Sequence, residues 1–295
     1  MKWPDAIERG TLDAMFTFRQ YIPTKTGHLV KSMWYMEHAG GGEGYEEEIV
    51  PDGHHELIFY LDGRSQHRIG NGAWIDEPGA LIASQTLQSH RLRMSAGSKL
   101  YGIRFYPHTL YPLLGVPLHL LGSAMMPMDD LLKGDGLAAC IDEDVTASFR
   151  RLEHRLLGLL SERAMGQSAG LLRGKAMEQP GYAYVDHSVR RMLAGGGPAS
   201  IKTLVGKSGV TAKHYDELFK RYVGITPKCL SSILQLNSFI RYKNRFPAKT
   251  LTECVYEAGY YDQSHLIRAF NQWVGATPGQ YFHSRAEISD LFAAL

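Results

Sequence analysis

The sequence predicts an α+β chain of two domains, β-rich in its first half and all-α toward its C-terminal end. Three observations predict it. Short runs rich in β-branched and aromatic residues, punctuated by glycine and proline, fill the first 135 residues. From Asp142 the apolar residues fall into the helical period. The last third carries an internal repeat.

The early runs read as strands: "HELIFYL" at 55–61, "GALIAS" at 79–84 and "KLYGIRFY" at 99–106. Next comes "DEDVTASFRRLEHRLLGLLSER". Its Val145, Phe149, Leu152, Leu156 and Leu159 form one apolar stripe behind an acidic first turn, which suits the helix dipole. Two heptads of such spacing suit a dimer seam as well as they suit packing on the chain's own β-domain. A looser stretch follows, so the expected division is residues 1–165 as a sensing and dimerisation domain, 166–184 as linker and 185–285 as the helical domain. "VDHSVRRMLAGGG" is a helix stopped by glycines, and Ser200 is placed to N-cap the next one.

Charge follows the same division. Residues 1–198 hold 20 Lys and Arg against 23 Asp and Glu, net −3; residues 199–285 hold 12 against 5, net +7. The overall +2 therefore conceals a basic C-terminal third, which a nucleic-acid surface or a merely solvated face would each explain. No apolar run reaches signal-peptide or membrane-spanning length, so a cytoplasmic protein with no membrane partner is expected. Three widely spaced cysteines, Cys140, Cys229 and Cys254, indicate reduced, buried thiols rather than disulfides or structural zinc.

In the repeat, "IKTLVGKSGVTAKHYDELFKRYVGITPKCL" (201–230) aligns with "LTECVYEAGYYDQSHLIRAFNQWVGATPGQYF" (251–282). Leu204-Val205 matches Cys254-Val255, Gly209 matches Gly259, Phe219 matches Phe270, and Gly224 to Pro227 matches Gly275 to Pro278. Each copy is a short helix, a glycine corner expected at positive φ, a second helix and a G-x-T-P stop. That is a helix-turn-helix, twice. Between them "KCLSSILQLNSFIRYKN" (228–244) reads as one helix. A helix of about 15 residues spans about 22 Å and would help set two recognition helices about one DNA turn, roughly 34 Å, apart.

The second copy, D-Q-S-x-L-x-R-x-F followed by W-V-G-A-T-P-x-x-Y, resembles the signature of the AraC/XylS family of bacterial transcription regulators. The resemblance covers residues 185–283. "VPDGHHELIFYL" and "LYGIRFYPHTLYPLLGVPLHLL" more weakly resemble the cupin-like sensor domain of one branch of that family. The resemblance implies a sequence-specific DNA-binding transcription regulator, not an enzyme, controlled by an effector or partner at its N-terminal domain. Double-stranded promoter DNA, a small-molecule effector, RNA polymerase for an activator, and a second copy of the chain are the implied partners. The alternative is a cupin-type metalloenzyme or other sensor tethered to a DNA-binding module. The lack of clustered cysteines in residues 1–139 argues strongly against a DNA-repair fusion with an alkyl-transferring cysteine.

The expected DNA-facing residues are Lys213, His214, Asp216, Glu217 and Lys220 in the first unit, and Asp262, Gln263, Ser264, His265 and Arg268 in the second. Gln263 and Arg268 suit bidentate base contacts. Glu217 stands where the family commonly has arginine, beside Asp216, so the first unit reads cytosine or binds weakly, and the second is the main reader. Gln235 likewise replaces a usual arginine. Lys202, Arg221, Arg241, Lys243 and Arg245 are candidate phosphate contacts, with Lys228 beside them.

In the β-rich part, Trp34, His54, Glu56, Tyr101 and Arg104 are candidate effector contacts, with Tyr35, Trp74 and Phe105 as further pocket aromatics. Neighbouring residues on a strand face opposite ways, so His54 and His55 cannot both point into one interior, and neither a metal site nor any cofactor is expected. "GGGEGYEEE" (40–48) lacks the ending of a phosphate loop and is expected as a solvated hairpin connection.

Overall fold

The computed structural model describes residues 7–8, 16–39, 44–122, 125–165, 177, 180–196, 200–284 and 287–294. Two antiparallel sheets make the N-terminal half. The larger has the order β1 (Ile7–Glu8), β2 (Phe16–Tyr21), β3 (Val30–His38), β10 (Lys99–Phe105), β5 (His55–Asp62), β8 (Ala80–Ala83), β11 (Met125–Pro127). The smaller has the order β4 (Tyr45–Ile49), β9 (His90–Met94), β6 (Ser65–Ile69), β7 (Ile75–Asp76). All three runs read as strands are strands.

The central strands of the larger sheet are buried on both faces. One face, with Met33, Tyr35, Leu57, Phe59, Tyr101, Ile103 and Phe105, belongs to the main core. The other, with Phe16, Phe18, Trp34, Met36 and Leu100, packs on Met94 of the smaller sheet in a second cluster. Strand alternation produces both faces from one sequence.

After α1 (Tyr111–Leu114), α2 (Val145–Met165) covers the first face. Its stripe is used up within the chain: Phe149, Leu152, Leu156 and Leu159 are buried in the main core, and Phe149 stacks on Tyr21 at 5.6 Å. Glu153, on the same helix, accepts from Tyr21 Oη and the Lys25 amide, each at 2.8 Å. The heptads are therefore intramolecular packing, not an open dimer seam.

The helical half comprises α3 (Pro180–Ala194), α4 (Ile201–Ser208), α5 (Ala212–Val223), α6 (Pro227–Arg245), α7 (Leu251–Glu257), α8 (Gln263–Trp273), α9 (Pro278–His283) and α10 (Glu287–Ala294). Helix α3 begins five residues before the expected start of the helical domain at 185, and most of the expected linker lies outside the described residues. Ser200 caps α4 by accepting from the Thr203 amide, and the corner glycines Gly209 and Gly259 have φ of 71° and 72°, as the repeat predicts. The G-x-T-P segments behave differently from the expected stop. Gly224 and Gly275 end each unit in left-handed backbone, whereas Pro227 and Pro278 sit in the first turns of α6 and α9, where a missing N–H costs nothing. Thr226 and Thr277 cap those helices.

Two further expectations change. Tyr45–Ile49 of the acidic run is a strand, with Glu47 buried, because Glu47 caps α10: it accepts from the amides of Ile288 and Ser289 at 2.8 and 2.7 Å. Of the three thiols only Cys254 is buried; Cys140 and Cys229 are half-buried. One apolar cluster runs from the larger sheet through α2 and α3 into both helix-turn-helix units.

Candidate nucleic-acid interface

Helices α5 and α8 are the second helices of the two repeats and are strongly amphipathic for the same reason. In α5, Tyr215, Leu218, Phe219 and Tyr222 turn inward; in α8, Leu266, Phe270 and Trp273 do so. The opposite faces are open to solvent. Lys213, His214, Asp216, Glu217 and Lys220 are exposed on α5, and Gln263, Ser264, His265, Ile267 and Arg268 on α8. Within the first unit His214 lies 3.7 Å from Glu217.

Several predicted contacts have intramolecular work. Asp262 is the N-cap of α8 and accepts from the His265 amide at 2.7 Å, so its carboxylate fixes the helix start. Gln263 donates to Thr252 Oγ1, joining α8 to α7. Arg221 Nε reaches Tyr111 Oη at 3.4 Å, and Lys243 Nζ donates to the carbonyls of Pro247 and Lys249 at 2.6 and 2.8 Å. Both cations, partly exposed, thus also tie neighbouring segments together within the fold. Arg245 lies over the Phe246 ring, while Lys202 and Lys228 are exposed. Arg241 lines the cavity at the junction of the two halves. Gln235 is buried and donates to the Ala258 carbonyl at 3.1 Å, fastening α6 to the end of α7. Sequence reasoning missed Tyr261 and Tyr256, which are 85% and 67% exposed at the start of α8 and on α7. The repeat signals Tyr261: it falls between the glycine corner and the cap, outside the apolar register.

The β-sheet half grips both of these helices from behind. His55 Nε2 donates to the Val223 carbonyl at 3.1 Å and His119 Nδ1 to the Lys220 carbonyl at 3.2 Å, both at the C-terminal end of α5. Ser89 donates through its amide to the Trp273 carbonyl at 3.0 Å and through its hydroxyl to the Val274 carbonyl at 2.8 Å, at the end of α8. Burial holds the His55 imidazole neutral, with its pKa pushed down to about 4. The β-sheet half thus supplies donors to the carbonyls of Val223, Trp273 and Val274, and gives the Lys220 carbonyl a second donor beside the Gly224 amide.

Between the sheets lies a cavity of about 110 Å3, walled by Trp34, Met36, Ile58, Leu92 and Leu100 and by Glu56, Glu77 and His90. His54 and Glu56 line it while His55 faces the helices, as alternation requires. Arg104 is buried beside it, donating to Glu56 at 2.8 Å and to Asp52. Burial works to raise the Asp52 carboxyl, but the Arg104 guanidinium overrides it and holds the group well below the usual range; Glu56, more affected by burial, is raised. Burial, then the Arg104 charge, pushes Lys31 down to about 7. Tyr101 does not reach the cavity. It lies three positions from Arg104, hence on the other face, with its hydroxyl on the Asp142 carbonyl at 2.7 Å. Among the described residues no group of three or more His, Cys, Asp or Glu is arranged to hold a metal ion, and no helix is long and apolar enough to cross a membrane.

Residues 204–284 match a protein-family model described as a helix-turn-helix domain. The chain therefore carries a helix-turn-helix domain over its last third. The exposed faces of α5 and α8 belong to that helix-turn-helix domain. Residues 20–127 match a second model, a domain of unknown function, DUF6597. Among solved structures, ToxT from Vibrio cholerae O395 is 10% identical, covering 92% of this chain and 98% of its own, with a TM-score of 0.42. The AraC-like transcriptional activator CuxR is 14% identical, covering 80% of this chain and 81% of its own, with a TM-score of 0.29. No curated protein matches the chain.

Proposed function

We propose that this regulator binds promoter DNA through α8 as its main base reader, and that a small effector in the cavity between the sheets sets how α5 and α8 are presented. The observation that carries this reading is the grip of His55, His119 and Ser89 on the C-terminal ends of both helices. A ligand that shifts the sheets moves those donors. It thereby changes the relative pose of two helices that must enter successive major grooves. The mainly apolar wall with Glu56, Glu77 and a neutral His90 suits a small apolar molecule bearing a hydrogen-bonding group. RNA polymerase contact, dimerisation and cytoplasmic location go with the regulator reading, and a dimer would use a surface other than the α2 stripe.

The reading is tested by selecting bound fragments from the source genome with the full chain, then measuring the variant Arg268→Ala on the selected site. The expected loss is about 1–3 kcal/mol of specific affinity with little loss on random DNA. Equal affinity for the selected site would show that Arg268 does not read bases, and absence of any enriched fragment would overturn the DNA-reading assignment.

A further inference from the structure

Helix α10 belongs to neither repeat, yet it is built into the β-sheet half. Ile288 and Leu291 are buried in the cluster formed by Phe16, Trp34, Met36 and Leu100. Glu47 takes the first free amides of the helix, and Ser289 Oγ accepts from the Val50 amide at 3.2 Å and donates to the Glu48 carbonyl at 2.9 Å. On its other side Asp290 accepts from Tyr281 Oη at 2.9 Å and bonds Asn244, which ties it to α9 and α6 of the DNA-binding half.

Phe292 sits at the decisive place. Its ring meets Trp34 edge-on at 5.2 Å and lies 5.0 Å from the Arg104 guanidinium, and its carbonyl accepts from Arg104 at 3.4 Å. It also lines two cavities at once: the one between the sheets and a second of about 270 Å3 at the junction of the two halves, bounded by Lys31, Arg104, Asn237 and Arg241. Phe292 is part of the partition between them. The first cavity alone is well below the roughly 300 Å3 at which ligand pockets begin, and the two merged would exceed it.

We propose that α10 is an intramolecular plug: Phe292 closes the cavity between the sheets, and a ligand enters by displacing it from Trp34 and Arg104. The inference rests on the reading that this cavity takes an effector. Displacement merges the two cavities and frees α10 from Glu47. Because only residues 284–286 separate α10 from α9, its release also removes the α10 tie between the second helix-turn-helix unit and the sheets and leaves that unit held there by the Ser89 contacts at the end of α8. Ligand entry and loss of that tie are then one event.

The probe for the test is 1-anilinonaphthalene-8-sulfonate, whose rings suit the apolar wall and whose sulfonate suits Lys31 and Arg104. The full-length Phe292→Ala protein is expected to bind the dye at least tenfold more tightly than the wild type, with Phe292→Trp remaining as closed as the wild type. In the wild-type protein, saturating dye is expected to speed amide exchange at Ile288–Phe292 at least tenfold and leave Leu57–Phe59 unchanged; this arm holds even where Phe292→Ala fails to fold. Equal dye affinity in folded wild-type and Phe292→Ala proteins, or bound dye with unchanged exchange in α10, overturns the plug. Promoter affinity measured with dye separates the two readings. If α10 opens and promoter affinity stays constant, the plug stands and effector control falls.

Discussion

Lys31 shows how far one side chain's surroundings depart from what its type suggests. Its ammonium lies 3.2 Å from His54 Nε2, and its pKa falls from 10.5 to about 7 through burial, the charges of Arg104 and Arg241, and only partial relief from Asp52 and Glu56. The unfolded chain therefore holds a proton between pH 7 and 10.5 that the folded chain lacks. Stability rises with pH through that window, and the penalty is fully present below about 7. Lys31→Met is expected to stabilise the protein at pH 6, by an amount on the order of a few kcal/mol, with the gain fading as the pH approaches 10. Chemical denaturation of both proteins at pH 6, 8 and 10 measures it; a gain independent of pH would show that packing, not charge, is responsible. The cluster around Lys31 was only partly legible in the sequence. Period-two alternation separated His54 from His55 correctly, and the same rule, extended over three positions, separates Tyr101 from Arg104. What alternation does not give is which face of β5 meets the helices, because that depends on contacts such as His55 with Val223, 168 residues away.

At the scale of elements, the duplicated unit was legible because each local signal points to the same structure: a cap at Ser200, corners at Gly209 and Gly259, and inward stripes of aromatic and aliphatic residues; the cap at Asp262, read from the sequence as a DNA-facing residue, was not. Helix α10 was not, since a short run such as "EISDLFAAL" takes its place from a remote acid, Glu47, rather than from its own periodicity. The asymmetry between the repeats survives in three dimensions. Asp216 and Glu217 are open on the outer face of α5, while the one acid at the start of α8, Asp262, is turned to capping. Glu217→Arg exchanges a phosphate-repelling group for an attracting one at an exposed site whose pairing with His214 is loose. It is expected to tighten promoter binding and to steepen the salt dependence by about one unit of slope, with stability changed by less than about 0.5 kcal/mol. Titrations of promoter DNA at several salt concentrations decide the point: weaker binding would mean that Glu217 accepts from a cytosine and that the first unit reads bases.

At the scale of the molecule, the two halves behave as one body because the loop between β4 and β5 is pressed into α6. Asn237 Nδ2 donates to the Pro51 carbonyl at 2.8 Å, Gln85 Nε2 to the Gly53 carbonyl at 2.8 Å, and the main apolar core is continuous across the junction. Gly53 lies close against α6. Its φ is 80°, and a Cβ placed there would meet Leu230 Cδ1 at 2.9 Å and Ile233 Cγ2 at 3.7 Å. Gly53→Ala thus combines left-handed strain of about 1–2 kcal/mol with a push against α6. Since α6 joins both helix-turn-helix units, the displacement is felt at α5 and α8 together. The wild-type chain is expected to unfold in a single calorimetric transition, and Gly53→Ala to lower its midpoint by several degrees. Two separate transitions in the wild type would mean that the continuous core does not couple the halves, and control of DNA binding would then have to pass through α10 and the contacts of His55, His119 and Ser89.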